Sequence, residues 1–294
     1  MMIFDEFAAE LQRELESKID GVTIRSNRVR KNNGIELLGL SICSEGSSVA
    51  PTVYVKDYYS AYTSGVPIEK IASDIAHAYV NDKRFSLDVD ANKFSNLDYV
   101  KSNIIYCLVN TDKNAELLNT APHRDYLDLS IILKVLMRID DDGVIASVTV
   151  KNEHLKYWGI SDDTLFDWAK ENTERLLPPK IMTMSGFMSE LHGEDIEIPD
   201  DPMFIITNSN KCNGAGVILY HDLLKELSEK LNTELYLIPS SVHEFIAVRS
   251  DTIDDEDALH MMIQQVNSEV VDDMEILSDT LYKYSVADKL VKVA

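Results

Sequence analysis

The chain has 294 residues, 45% of them hydrophobic, with only eight prolines and eleven glycines. That supports a sizeable core and argues against a disordered or fibrous protein. Fifty acidic and 28 basic residues leave a formal net charge of -22, which repels phosphate backbones and anionic membranes and points away from direct nucleic-acid or membrane binding.

In chain order, residues 3–18 place Ile3, Phe4, Phe7, Ala8, Leu11 and Leu15 at helical spacing. Acids fall in the first turn and no long apolar run follows, which is unlike a signal peptide. No segment approaches the ~18 consecutive apolar residues of a membrane span, so a cytoplasmic protein is expected. VTIRSNRVRKNNGIELLGLSI reads as a hairpin turning at Asn33-Gly34, because both residues tolerate positive φ. TVYV is a further strand, and KDYYSAY a short helix stopped at Gly65. Pro67 opens another helix, since its missing N–H costs nothing in a first turn. NIIYCLVN is a strand. YLDLSIILKVLMRI and VIASVTV flank Asp140-Asp141-Asp142-Gly143, a hairpin signal. A helix starts after Ser161, whose hydroxyl caps it, with Leu165, Trp168, Ala169 and Leu176 toward the core. Pro178-Pro179 ends it.

An irregular, acidic, Met-rich linker is expected at 178–201, carrying Met182, Met184 and Met188. These methionines line an adaptable groove or fill a gap between domains. Beyond it, FIITN and GAGVILY read as strands, HDLLKELSEKL as a helix, ELYLIP and EFIAVR as strands. A last helix starts near Asp255, with Leu259, Met262, Ile263, Val266 and Val270 on one face, and ILSDTLYKY is an edge strand. The reading is an α+β fold in two domains, 1–177 and 202–294, each a largely antiparallel sheet with packed helices. The second has the order β-β-α-β-β-α-β.

Ser240, Ser241, His243 and Glu244 crowd one stretch, but no glycines flank the serines and no strand-to-helix turn follows, as a nucleophile elbow requires. Pro239-Ser240-Ser241 reads as a turn between strands, with His243 and Glu244 adjacent on the second strand and facing opposite ways, and His243 is kept as a weak catalytic candidate. His123-Arg124-Asp125 repeats the opening of a kinase catalytic loop, but Ser130 stands where asparagine belongs and no Gly-rich loop precedes it. His123, Arg124, Asp125 and Asp128 remain the best polar cluster for an enzyme. Arg25, Arg28, Arg30 and Lys31 form the one dense basic patch, read as a charged edge strand or an anion site. Tyr58 and Tyr62 share a helix face and stack on a partner or pack in the core. The acidic runs lack calcium-loop ligands, the histidines lack metal spacing, and Cys43, Cys107 and Cys212 include no C-x-x-C pair. No metal or cofactor is expected.

The phrases VRKNNGIELLGLSI, PTVYVKDYYSAYTSG, YVKSNIIYCLVN, TAPHRDYLDLSIIL, WGISDDTLFDWAKENTERLLPPKI, NKCNGAGVILY, LIPSSVHEF and EILSDTLYKY, in that order, resemble an uncharacterised bacterial family, domain of unknown function 5688, over nearly the whole chain. LFDWAKENTERLLPP followed by a small α+β unit is also distantly similar to the family related to the Bacillus protein YtpQ. The first resemblance implies a cytoplasmic bacterial protein encoded near mobile elements, and supplies no active-site residues. Two functional readings stand. One is a non-enzymatic regulatory protein with a basic protein partner, in its sharper form an anti-defence inhibitor of a nucleic-acid-handling protein. The other is a hydrolase or transferase at His123, Arg124, Asp125 and Asp128, or one using His243. The second requires those side chains to converge.

Overall fold

A computed structural model describes residues 1–46, 50–81, 90–139, 145–199, 201–287 and 290–294. The fold is α+β, with helices packed on antiparallel sheets. The chain divides into two compact units, one of Met1–Lys31 with Ile35–Asn92, the other of Asn32–Gly34 with Lys93–Ala294. This division does not fall at the stretch 178–201 expected to link two domains.

In the first unit, α1 (Phe4–Lys18) is followed by a three-stranded sheet, β1 (Val22–Arg30), β2 (Glu36–Ser44) and β3 (Thr52–Tyr54), in that spatial order. Two helices follow, α2 (Val55–Thr63) and α3 (Ile68–Asn81). The helical spacing of Phe7, Leu11 and Leu15 puts all three in one core with Ile24, Leu40, Ile42, Ile71 and Ile75. Gly65 takes φ +100°, a conformation that ends α2 at little cost.

In the second unit, the short α4 (Asn92–Ser95) leads into α5 (Leu97–Asn103) and β4 (Ile104–Asn110). A single turn, α6 (Ala115–Leu118), precedes β5 (His123–Tyr126), β6 (Leu129–Ile139) and β7 (Ile145–Thr149). Strand β6 pairs antiparallel with β4, β5 and β7. The hairpin expected at Asp140–Gly143 lies outside the described residues. His123–Tyr126, which the sequence marks only by its polar residues, is a strand. Two helices follow, α7 (Asn152–Trp158) and α8 (Asp162–Leu176), the latter capped by Ser161 Oγ accepting from the Thr164 N–H at 3.3 Å. Leu165 and Ala169 of α8 are buried as expected, while Trp168 and Leu176 are half-buried.

The stretch 178–201 is not an irregular linker. It holds β8 (Pro179–Thr183) and α9 (Met184–His192), and β8 pairs with β9 (Met203–Asn208). The open edge of β9 accounts for this, since an unpaired edge is satisfied by any extended neighbour of suitable length. Met182 lies on β8 and Met184 and Met188 on α9, all half-buried. GAGVILY is not a strand either. Gly214–Leu219 is a 3-10 helix, because β9 already has β8 on one side and β11 (Glu244–Arg249) on the other. Then come α10 (Leu223–Leu231), β10 (Leu235–Ser241), α11 (Glu256–Glu269), β12 (Tyr282–Ser285) and β13 (Leu290–Val293). The second sheet runs β13-β12-β10-β11-β9-β8. The expected order β-β-α-β-β-α-β therefore loses its second strand to the 3-10 helix. β12 is interior rather than an edge, because β13 pairs beside it.

One carboxylate joins the two sheets of this unit. Asp128, in the β5–β6 turn, accepts from Ser278 Oγ at 2.6 Å, Thr280 Oγ1 at 3.1 Å and Tyr282 OH at 2.7 Å. Leu127 beside it holds φ +59°, which costs an L-residue with a branched side chain roughly 1–2 kcal/mol. The three charge-assisted bonds offset that cost. Tyr282 is fully buried, and burial, with the bond to Asp128, pushes its phenol far above the usual tyrosine range. It therefore stays a donor. Asp128→Ala should cost about 3 kcal/mol and lower the unfolding temperature by roughly 6–12 °C, since a buried hydroxyl is left without its acceptor. Asp128→Asn should cost about half as much, both read by thermal melts followed by circular dichroism.

Candidate functional site

Helix α11 covers one face of the second sheet. Asp255 caps it, accepting from the Ala258 N–H at 3.0 Å. Ile263 is buried against Tyr236, Ile238, Val248 and Leu281, and Leu259 is packed beside it. Asn267 continues this row. It is buried and donates to Ser278 O at 2.9 Å and Asp279 Oδ1 at 2.8 Å. Tyr236 OH donates to Glu256 near the helix start. One i, i+4 row, Leu259-Ile263-Asn267, thus fixes the helix.

The adjacent row is bare. Met262, Val266 and Val270 follow one another at i, i+4 spacing and are 44%, 41% and 76% exposed. The sequence placed these three on the same face as Ile263, and the sheet below covers only half of that face. Residues 254–273 hold seven acids, Asp254, Asp255, Glu256, Asp257, Glu269, Asp272 and Asp273, and no Lys or Arg. All seven are exposed. Glu269, Asp272 and Asp273 stand at the C-terminal end, where the helix dipole is negative and carboxylates are unfavourable by about 0.3–1 kcal/mol each. A cation arriving there relieves that repulsion.

The other candidate residues are engaged separately. His123 is exposed, with Nδ1 3.0 Å from Ala121 O. Arg124 pairs with Asp163, lies near Asp162 at 3.9 Å and stacks 4.6 Å above the Phe166 ring. Asp125 is exposed on β5, and Asp128 is taken up by its three hydroxyl donors. The four do not converge. Ser241 Oγ donates to Glu244 Oε1 at 2.7 Å across the β10–β11 turn; Pro239–Ser241, expected as that turn, end β10 instead, and His243, expected on a strand, lies in the turn. Arg25, Arg28 and Arg30 lie on β1, the edge of the first sheet. Arg25 faces away from the other two by strand alternation. Arg30 pairs with Glu36 at 2.7 Å, and Lys31 sits 4.3 Å over the Tyr54 ring. Tyr58 packs against the first core, and Tyr62 lies 4.9 Å from the Phe7 ring and accepts from the Met2 N–H. A shallow cavity of about 300 Å³, bordered by Tyr126, Tyr220, Asp222, Lys225 and Tyr284, includes none of these candidates.

The sequence profile of the Family of unknown function (DUF5688) matches residues 4–286. The chain belongs to that family. It is the first of the two families whose resemblance the sequence carries, and the likeness to YtpQ is not shown. No curated protein and no solved structure matches the chain. Among the described residues of this DUF5688 protein, no helix is long and apolar enough to cross a membrane, and no group of three or more His, Cys, Asp or Glu is placed to hold a metal ion.

The bare row of α11 and the residues that fix it should behave oppositely. Met262→Asp with Val266→Asp should cost no more than about 1 kcal/mol, mostly from the added charge near the helix end, as both positions are solvated. Ile263→Ala should cost about 2–4 kcal/mol by leaving a cavity against the sheet. Urea unfolding of the three proteins checks this; equal losses would mean that the row is part of the core.

Proposed function

We propose that this DUF5688 protein works by binding a basic protein through α11, without catalysis of its own at the His123 cluster. The observation that carries the reading is the bare Met262-Val266-Val270 row, framed by seven exposed carboxylates and no cation. An apolar seam with an acidic rim fits an amphipathic surface whose own rim is Lys- and Arg-rich. Burial of the row supplies affinity, and the carboxylates supply orientation and encounter rate. A narrower form makes the partner a basic nucleic-acid-handling protein, with carboxylates standing where that protein receives phosphates. Placing this activity in the bacterial cytoplasm, beside mobile elements, follows the family resemblance.

The test uses a defined probe, a fluorescent amphipathic Lys/Leu peptide of about 18 residues, long enough for one α11-sized helix. Anisotropy titrations should give micromolar binding that weakens roughly tenfold between about 50 and 300 mM salt, as exposed charges are screened. Met262→Asp with Val266→Asp should weaken it a further tenfold or more, and Val80→Asp on α3 should not. Binding unchanged by the α11 substitutions would overturn the reading. So would sedimentation showing that the same row holds two copies of the chain together.

A further inference from the structure

The cavity bordered by Tyr126, Tyr220, Asp222, Lys225 and Tyr284 lies wholly within the second unit. Its volume of about 300 Å³ is at the lower end of the roughly 300–1,000 Å³ of small-molecule sites. Tyr126 comes from the end of β5, Asp222 and Lys225 from the start of α10, and Tyr284 from β12. Tyr220 lies between the 3-10 helix and α10. Its hydroxyl is spent, donating to Leu177 O at 2.7 Å, and its ring meets Tyr106 edge-on at 6.3 Å. Tyr220 therefore offers the cavity a fixed ring and no polar group. The buried side chains of Ile218, Leu224 and Val291 extend this apolar wall.

The polar groups on the border are not used by the fold. Tyr284 is only 4% exposed, yet its hydroxyl meets no hydrogen-bond partner among the described residues, and neither does that of Tyr126. Buried polar groups are ordinarily paired, so such a hydroxyl calls for a partner from outside the chain. Burial pushes the Tyr126 phenol up to about 12. Burial, then the nearby carboxylates of Glu229 and Asp222, raise that of Tyr284, so both remain neutral hydroxyls. The charges are unmatched as well. Asp222 occupies the N-cap of α10, where a carboxylate ordinarily accepts from the first turn, but makes no such bond. It holds φ +57° and lies 3.1 Å from Nδ1 of the exposed His221. The first-turn N–H groups thus have no side-chain acceptor. Lys225 is half-buried and forms no ion pair among the described residues, although the chain carries 50 acids.

We infer that this cavity binds a free α-amino acid with an apolar side chain. Asp222 and Lys225, three residues apart, bring opposite charges to one border without pairing with each other. A simple cation would meet Lys225. A simple anion would meet Asp222 and the net charge of -22. A small zwitterion satisfies both. Its carboxylate takes the Lys225 ammonium and the uncapped N–H groups of the first turn of α10. Its ammonium donates to Asp222 and to the phenol oxygens of Tyr126 and Tyr284. Its side chain lies against Ile218, Leu224, Val291 and the Tyr220 ring, where burial of apolar surface adds affinity. A residue inside a peptide has neither charge, so the site selects the free amino acid. The site shares no residue with the α11 surface, and each stands or falls without the other.

Isothermal titration of the intact protein near pH 7 with L-leucine and with L-phenylalanine tests this. At least one should bind with a Kd of about 10 µM to 1 mM. The corresponding amides lack the carboxylate and the N-acetyl forms lack the ammonium. Both should bind at least about tenfold more weakly. Lys225→Met and Asp222→Asn should each weaken binding of the free amino acid about tenfold, and Tyr284→Phe about threefold, with thermal melts confirming that each variant folds. No saturable binding of either amino acid up to about 10 mM would overturn the proposal. An amide that binds as well as the free acid would make this a cation site, and an N-acetyl form that does so would make it an anion site. Either result overturns the zwitterion assignment, and these comparisons need only the unaltered chain. A folded Lys225→Met protein with unchanged affinity would overturn it equally.

Discussion

The second unit depends on a single carboxylate in a tight turn. Asp128 draws hydroxyl hydrogens from Ser278, Thr280 and Tyr282, joining the β5–β6 hairpin to the strand that carries the far side of the larger sheet. Leu127 beside it holds a backbone conformation that its side chain disfavours. Strain of that kind persists where neighbouring bonds over-determine the geometry. Two of the three donors, Ser278 and Tyr282, are buried, so each would be left without water as well as without its partner if the carboxylate were lost.

The second unit contains both a loosely covered region and a tightly built one. On α11, one helix row is spent on the sheet and the next is left to solvent, with carboxylates crowded at both helix ends. Nothing there is rigidly aimed, and recognition by charge and apolar contact does not need it to be. Around Cys212 the reverse holds. Asn208 and Thr207 tie the loop by hydrogen bonds, and Gly214 leaves no room for a Cβ.

What the sequence showed was local. Asn33-Gly34 and Ser161 act within a few residues of themselves, and the structure uses each as read. What it hid was competition between segments. GAGVILY has strand composition, but the places beside β9 are filled by β8 and β11. The turn at Leu127 contains neither glycine nor asparagine, so β5 had no visible start or stop. The spacing from about Asp255 marks α11 as amphipathic, while the extent of its cover depends on the width of a sheet assembled from distant strands. The serine-rich stretch does contain a turn, but later than its composition suggested, at Val242-His243, and the histidine there meets Asn213 and Glu275 from two other segments. Nothing in the spacing of three such separated residues announces their meeting. The asparagine and glycine crowded around Cys212 were the one signal that a loop there is tightly built.

The Asp128 bonds also set a timetable. Their sequence separations run from 150 to 154 residues. At a ribosomal rate of about 5–20 residues per second, roughly 8–30 s pass between synthesis of the turn and synthesis of its hydroxyl partners. Through that interval the β5–β6 hairpin carries the cost of Leu127 without relief, whereas the edge of β10 waits for β12 only from residue 241 to residue 282. Slow translation near residue 280 would lengthen the wait of Leu127, while the first unit is fully synthesised by Asn92.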